Sequence, residues 1–368
     1  MTRTVLVAGA GLAGSRVAES LRDRGFDGRI VVAGDEPHAP YERPALSKEL
    51  LAGTRADAFL RPESHWADRA IELRTRAAVA DVDAERRTAT VDGEPLAWDA
   101  LVVATGARAR TLDGPRGVHT LRTLNDATAL RDAVGPATRV VVVGAGFIGA
   151  ETASTLLPKA ASVTIVEPLA APLLRIVGPD VGSILARRYR AHGVDLRLGR
   201  GVERIGGGER VEFVELDDGS ILPADVVVVG IGAVPTSPLG GALHVDEHGR
   251  AAVPGVFACG DVAVWHRPSL GKALRVEHWT SASGQARAVA AAILGQAEPY
   301  DEAPYFWSDQ FGLRLQHVGH AESWHAVVLE GDEAAFTARY VDRDGHLLSA
   351  LAVNRARDVP VLRKELAA

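Results

Sequence analysis

The sequence predicts an α/β fold in which one strand–turn–helix unit is used twice, with a smaller α+β region at the end of the chain. Three observations carry this prediction. First, VLVAGAGLAGSRVAESL (residues 5–21) is matched by VVVVGAGFIGAETASTL (residues 140–156), so that Gly9, Gly11 and Gly14 fall on Gly144, Gly146 and Gly149. Second, VDGEPLAWDALVVATG (91–106) is matched by DDGSILPADVVVVGIG (217–232), each an Asp-Gly turn signal followed by an apolar strand that ends in glycine. Third, AAFTARYVDRDGHLLSALAVN (334–354) reads as strand, Asp-Gly turn and strand, and VPVLRKEL after it reads as a helix.

Each element of the repeat has a physical role. A short apolar run before a glycine turn is the pattern of a parallel strand buried on both faces. In G-x-G-x-x-G the first glycine permits a tight turn, the second lets backbone approach a pyrophosphate, and the third lets helix pack on strand. The phosphates then meet the positive end of the helix. One such turn is a weak signal, but two in register point to two Rossmann-like dinucleotide-binding domains.

The acid at the end of the next strand refines the ligands. Glu167 closes SVTIVE, where a carboxylate accepts from a ribose 2′-hydroxyl and repels a 2′-phosphate. This favours NADH over NADPH. Asp35, followed by Glu36, is expected at the equivalent place after RIVVA. Two different dinucleotides are implied, and FAD with NAD is the economical pair. Gly144, Gly146, Phe147, Ile148 and Gly149, with Glu167 and Gly230, are expected to take the nicotinamide nucleotide.

Bulk properties exclude other classes. The chain has 368 residues and a net charge of −6, with acids and bases interspersed, which argues against a nucleic-acid partner. Its one cysteine, Cys259, rules out an internal disulfide, a redox dithiol or a thiolate metal cluster. The histidines show no metal-ligand spacing, and no metal is expected. No apolar run approaches a membrane span, and the chain enters a strand-like run without the order of a secretory leader. A cytoplasmic protein is expected, with no membrane partner.

The segment PYERPALSKEL (residues 40–50) resembles the stretch after the first ribose carboxylate in FAD-dependent ferredoxin reductases. These serve Rieske-type dioxygenases and bacterial cytochromes P450 and share the glutathione-reductase fold. LRTLNDA (121–127), FACGDVA (257–263), RVEHWTSASGQA (275–286) and PYFWSDQFGLRLQHVG (304–319) look like the same family in the same order, so the resemblance spans essentially the whole chain. It implies an FAD-binding domain in two parts, 1–111 and 234–301, an NAD-binding domain at 112–233, and a C-terminal α+β domain at 302–368.

The resemblance also implies site residues. Pro44 lies against the isoalloxazine, and Lys48 reaches its N5 side with Glu151 as its carboxylate partner. Ala13 and Gly14, with Gly9 and Gly11, meet the FAD pyrophosphate; Asp35 meets the ribose; Val79 meets the adenine; Arg122 contacts FAD. Asp261 binds a ribityl hydroxyl, Trp279 sits by the flavin, and Trp307 lies on its nicotinamide side. The chain departs from the family pattern at Ala45, where a second proline is usual, and in a compact segment around 235–250.

The implied activity is passage of electrons from NADH through the flavin to a [2Fe–2S] ferredoxin that supplies an oxygenase, by a monomer that needs no covalent nucleophile. Two alternatives remain: an NADH oxidase or quinone-type reductase, and an NADH-sensing interaction flavoprotein. Disulfide, peroxide and coenzyme A disulfide reductases of this architecture need cysteines near the flavin, and residues 36–60 contain none.

Overall fold

The computed structural model describes residues 3–296 and 298–367. The chain forms two compact units, each assembled from separated segments: Met1–Glu42, Phe59–Arg108 and Val234–Pro304 in the first, and Arg43–Ala58, Ala109–Ala233 and Tyr305–Ala368 in the second.

The first unit is built on a five-stranded parallel sheet in the order Val256–Ala258, Ala100–Val103, Thr4–Ala8, Arg29–Ala33, Ile71–Arg74. Its central strands are almost fully buried, which is why they read as unbroken apolar runs. The helices Leu12–Asp23 and Trp279–Ile293 pack together; the second is alanine-rich, so its backbone can come close. The path from Ile71–Arg74 to Ala100–Val103 is an antiparallel meander, Val79–Asp83, Thr88–Val91 and Glu94–Ala97, closed by the Asp92-Gly93 turn. The compact segment near 235–250 contributes Leu243–Val245, which joins a small sheet with Ala263–Arg267 and Lys272–Leu274.

A buried acid ties this unit together. Glu19 on the helix Leu12–Asp23 is 5% exposed and accepts from Arg16 at 2.7 Å, Arg61 at 2.6 Å and His65 at 3.0 Å. Burial alone would raise its pKa, but the Arg61 hydrogen bond and the Arg16 charge outweigh it and hold the carboxyl below its ordinary range. A carboxyl depressed in the folded state stabilises above its unfolded pKa, and that contribution is lost as pH falls through the folded one. Glu19→Gln should therefore cost about 1–3 kcal/mol at neutral pH, and the cost should shrink as pH drops below about 4. Urea midpoints of both proteins across this range test it; a constant difference would contradict the charge-based account.

The second unit repeats the plan. Its parallel sheet runs Asp195–Leu198, Ser162–Glu167, Arg139–Val143, Val226–Val229, Val118–His119, with Val202–Gly206, Phe213–Leu216 and Ile221–Pro223 as the corresponding meander. The helix Phe147–Leu156 follows the glycine turn. The C-terminal part is a five-stranded antiparallel sheet in the order Tyr305–Gln310, Leu313–Gly319, Leu347–Val353, Ala335–Val341, Ala326–Asp332, covered by the helix Val359–Leu366. The expected hairpin across the Asp-Gly turn at 344–345 is present. No helix among the described residues is long and apolar enough to cross a membrane.

Candidate dinucleotide cradles and the Lys48–Glu151 pair

The glycines of the first turn do different jobs. Gly9 has φ +115°, and a Cβ on it would lie 2.3 Å from the Ala104 carbonyl oxygen. A Cβ on Gly14 would lie 1.9 Å from the Gly9 carbonyl oxygen. Backbone geometry and packing thus demand glycine at both. Gly11 is different: its φ of −85° suits any residue, and a Cβ there would meet nothing within 4 Å. Neither the fold nor the backbone requires glycine at position 11, and the turn presents bare, open backbone there.

The second turn shows the same division. Gly144 has φ +102° and would put a Cβ 2.4 Å from the Gly230 oxygen, and Gly149 would put one 2.0 Å from the Gly144 oxygen. Gly146 has φ −74°, and the nearest atom to its Cβ would be 4.0 Å away. Both following helices begin without a side-chain cap, leaving their first N–H groups for whatever approaches the turn. Ile148 is 46% exposed beside the second turn, and Phe147 packs edge-on against Phe306 at 4.6 Å.

The strand-end acids differ from expectation in register. Ala8 pairs with Ala33 and Val143 with Val166, so the counterpart of Glu167 is Gly34, one residue before Asp35. A Cβ on Gly34 would lie 2.6 Å from the Ala10 Cβ, so packing against the turn leaves no room there for a side chain. Asp35 follows it and is exposed, while half-buried Glu36 accepts from the Tyr41 hydroxyl. Glu167 is buried, and its carboxylate accepts from the Ala145 N–H at 2.7 Å and the Leu169 N–H at 3.0 Å. It therefore stands on the glycine turn itself.

Other expected residues of the first unit gather around this cradle or stand apart from it. Ala13 faces the turn at Gly260, whose Cβ would lie 3.0 Å from the Ala13 Cβ; that turn carries Asp261 and is held by Gln285, which accepts from the Gly260 N–H at 2.8 Å. Trp279 is the first residue of the helix Trp279–Ile293 and is half-buried. Val79 lies in the meander, paired with Val91.

In the second unit the expected ion pair is formed. Lys48 Nζ donates to Glu151 Oε2 at 2.6 Å and to the Pro44 carbonyl at 3.3 Å. The Glu151 carboxylate is 3% exposed and is filled by further donors that sequence reasoning missed. Ser47 Oγ donates to Oε2 at 2.5 Å, Ser308 Oγ to Oε1 at 2.6 Å, and the Asp309 N–H to Oε1 at 3.3 Å. Ser308 in turn accepts from Gln310 Nε2 at 2.9 Å, and Gln310 Oε1 accepts from the Tyr189 hydroxyl. Arg122 is half-buried; its N–H donates to Asp126 at 2.9 Å and its carbonyl accepts from Arg43.

Trp307 lies on the same strand as Ser308 but on the opposite face. It stacks on Tyr305 at 6.3 Å, with the Arg314 guanidinium 5.8 Å from its ring centre. Ser308 and Gln310 escaped notice because FWSDQ carries polar residues on both faces, so its alternation does not say which face is inward.

Two further groups bear on chemistry. Cys259 is fully buried, and burial pushes its thiol up to about 12, so it stays protonated and unreactive. Asp342, Asp344 and His346 bring three donor atoms within 4.8 Å of one another, but this is a turn in which Asp342 accepts the N–H groups of Asp344 and His346.

Residues 3–286 match the family described as pyridine nucleotide-disulphide oxidoreductase, and residues 305–368 match the family described as reductase C-terminal. The chain is 39% identical, over 96% of its length and 90% of the relative's, to the 5,5′-dehydrodivanillate O-demethylase ferredoxin reductase subunit of Sphingobium sp.. It is 38% identical, over 96% of its length and 90% of the relative's, to a ferredoxin–NAD(P)(+) reductase of Sphingomonas sp.. Among solved structures it is similar to the covalent putidaredoxin reductase–putidaredoxin complex, with a TM-score of 0.94, 31% identity, and coverage of 99% of this chain and 93% of that one.

Proposed function

The chain belongs to the pyridine nucleotide-disulphide oxidoreductase family, and we propose from this that it is an FAD-dependent ferredoxin reductase, taking electrons from NADH and delivering them to an iron–sulfur ferredoxin that feeds an oxygenase. The observation that carries the reading is the pair of glycine turns whose middle residues, Gly11 and Gly146, are needed by neither backbone nor packing. Two open backbone cradles fit two dinucleotides. The buried, protonated Cys259 does not fit a disulfide substrate, so the acceptor is external.

Gly9, Gly11, Ala13 and Gly14 are assigned to the FAD pyrophosphate, with Asp35 and Val79 at the adenosine end and Asp261 and Trp279 toward the flavin. Pro44, Lys48, Arg122 and Trp307 are also assigned to FAD. Gly144, Gly146, Phe147, Ile148, Gly149, Glu167 and Gly230 are assigned to NADH. The corresponding domains are 1–111 with 234–301 for FAD, 112–233 for NADH, and 302–368 at the C-terminus, in a monomeric cytoplasmic protein.

Bound FAD supplies a group that accepts two electrons as hydride and releases them singly. The chain supplies position and charge. Lys48 presents an ammonium held by Glu151, and the filled carboxylate keeps the ammonium from swinging into water. Anaerobic stopped-flow mixing with NADH and then with a [2Fe–2S] ferredoxin tests the reading. Fast flavin bleaching followed by fast ferredoxin reduction is expected; reduced flavin that leaves the ferredoxin oxidised but is reoxidised by quinone, or by oxygen in a separate aerobic mix, would replace it with an oxidase.

Glu167 is the basis for the preference for NADH. A carboxylate fixed by two backbone N–H groups cannot swing away from a 2′-phosphate. Glu167→Ser should lower the ratio of kcat/KM for NADH over NADPH by about tenfold or more. Steady-state kinetics with both nucleotides check this, and an unchanged ratio would remove Glu167 from discrimination.

A further inference from the structure

We infer that Ser308 and Gln310, backed by Tyr189, are positioning residues for hydride transfer: they orient the Glu151 carboxylate that holds Lys48. The inference rests on the proposed role of Lys48 at the flavin and adds residues that sit beyond the ion pair.

The geometry supports a directed chain. On the strand Tyr305–Gln310, alternate residues share a face, so Phe306, Ser308 and Gln310 point inward. Ser308 is 0% exposed and Gln310 2%. Polar groups at such positions are costly unless hydrogen-bonded. Here every donor points the same way: the Tyr189 hydroxyl to Gln310 Oε1, Gln310 Nε2 to Ser308 Oγ, and Ser308 Oγ to Glu151 Oε1. The chain ends on a carboxylate oxygen, and the other oxygen of that carboxylate takes Lys48 and Ser47.

This division of labour fixes the carboxylate plane. Oε1 is pinned by Ser308 and the Asp309 N–H, so Oε2 is left aimed at the ammonium. Tyr189 sits in full burial near the Glu151 charge, and both effects raise its pKa, so it remains a neutral donor at any working pH. Phe311 braces the other end: its ring packs 4.4 Å from Tyr189, and its N–H donates to Ser154 at 2.8 Å on the helix that carries Glu151. A packing role alone would be met by apolar residues on this strand face.

The test is a set of four variants assayed by anaerobic stopped flow with NADH. Ser308→Ala should slow the limiting rate of flavin reduction about 5- to 10-fold, the size of one lost hydrogen bond to a carboxylate, with the apparent Kd for NADH little changed. Ser308→Thr, which keeps the hydroxyl, should restore most of the rate. Tyr189→Phe removes one oxygen at the far end of the chain and should slow reduction about twofold, which keeps the idea testable should Ser308→Ala fail to fold. Lys48→Met separates the two levels of the argument. If Lys48→Met is slow while Ser308→Ala and Tyr189→Phe match the wild type, the positioning inference is overturned and the role of Lys48 stands. If Lys48→Met also matches the wild type, the role of Lys48 falls and the inference falls with it.

Discussion

Gly11→Val is expected to give a folded protein that purifies without flavin. The substitution adds a branched side chain where a Cβ meets nothing within 4 Å and where φ is −85°, so the folded chain accepts it without strain. The same side chain fills the face of the turn that a pyrophosphate must reach. Gly9→Val makes the opposite case. It places a branched residue at φ +115° with its Cβ 2.3 Å from a backbone oxygen, and the turn cannot hold both. That variant should lose several kcal/mol of stability and fail to fold. Visible absorbance and far-ultraviolet circular dichroism separate the outcomes. A yellow Gly11→Val protein with full flavin content would show that the open face is not the pyrophosphate site.

Lys48→Met should slow flavin reduction by NADH about 100-fold, a loss of the order seen when one fixed electrostatic group is removed from a reacting centre. The substitution also leaves the buried Glu151 carboxylate without its cation, although Ser47, Ser308 and the Asp309 N–H still hydrogen-bond to it. Breaking a buried pair from one side costs more than the pair contributes, so stability should fall by about 1–3 kcal/mol. Glu151→Gln keeps the shape and removes the charge, and should slow reduction less than Lys48→Met. The double variant should be no slower than Lys48→Met alone, because residues that act as one unit are not additive. Single-turnover rates for all four proteins check this. Additive losses would mean that Lys48 and Glu151 act separately.

Much of the architecture was legible because its signals are local. The strands Thr4–Ala8 and Arg139–Val143 are apolar runs ending in glycine, and the helices after them keep the spacing that buries Val17, Ala18 and Leu21 in one copy and Ala153 and Leu156 in the other. The partnership of Lys48 with Glu151, more than a hundred residues apart, came from family resemblance rather than from pattern. Ser47, Ser308, Gln310 and Tyr189 were out of reach. Nothing in their local sequence distinguishes a buried serine donating to a carboxylate from one facing water, since hydropathy does not record partners.

By itself the sequence determined the duplication, the two glycine turns, the antiparallel C-terminal hairpin and the single cysteine, because each follows from composition and spacing over a few residues. Only the tertiary structure decided which glycines the fold requires and which it leaves open. That distinction depends on what a Cβ would meet, and the atoms in question are Ala104 for Gly9 and Gly230 for Gly144, both far along the chain. It also moved the counterpart of Glu167 onto Gly34, since register is set by which residues pair across the strands. The buried network that joins Ser47, Lys48, Tyr189, Ser308 and Gln310, from three separate stretches of chain, to the Glu151 carboxylate exists for the same reason: hydrogen bonds between distant residues are made by the packing of strands and helices, and packing is not written at any one position.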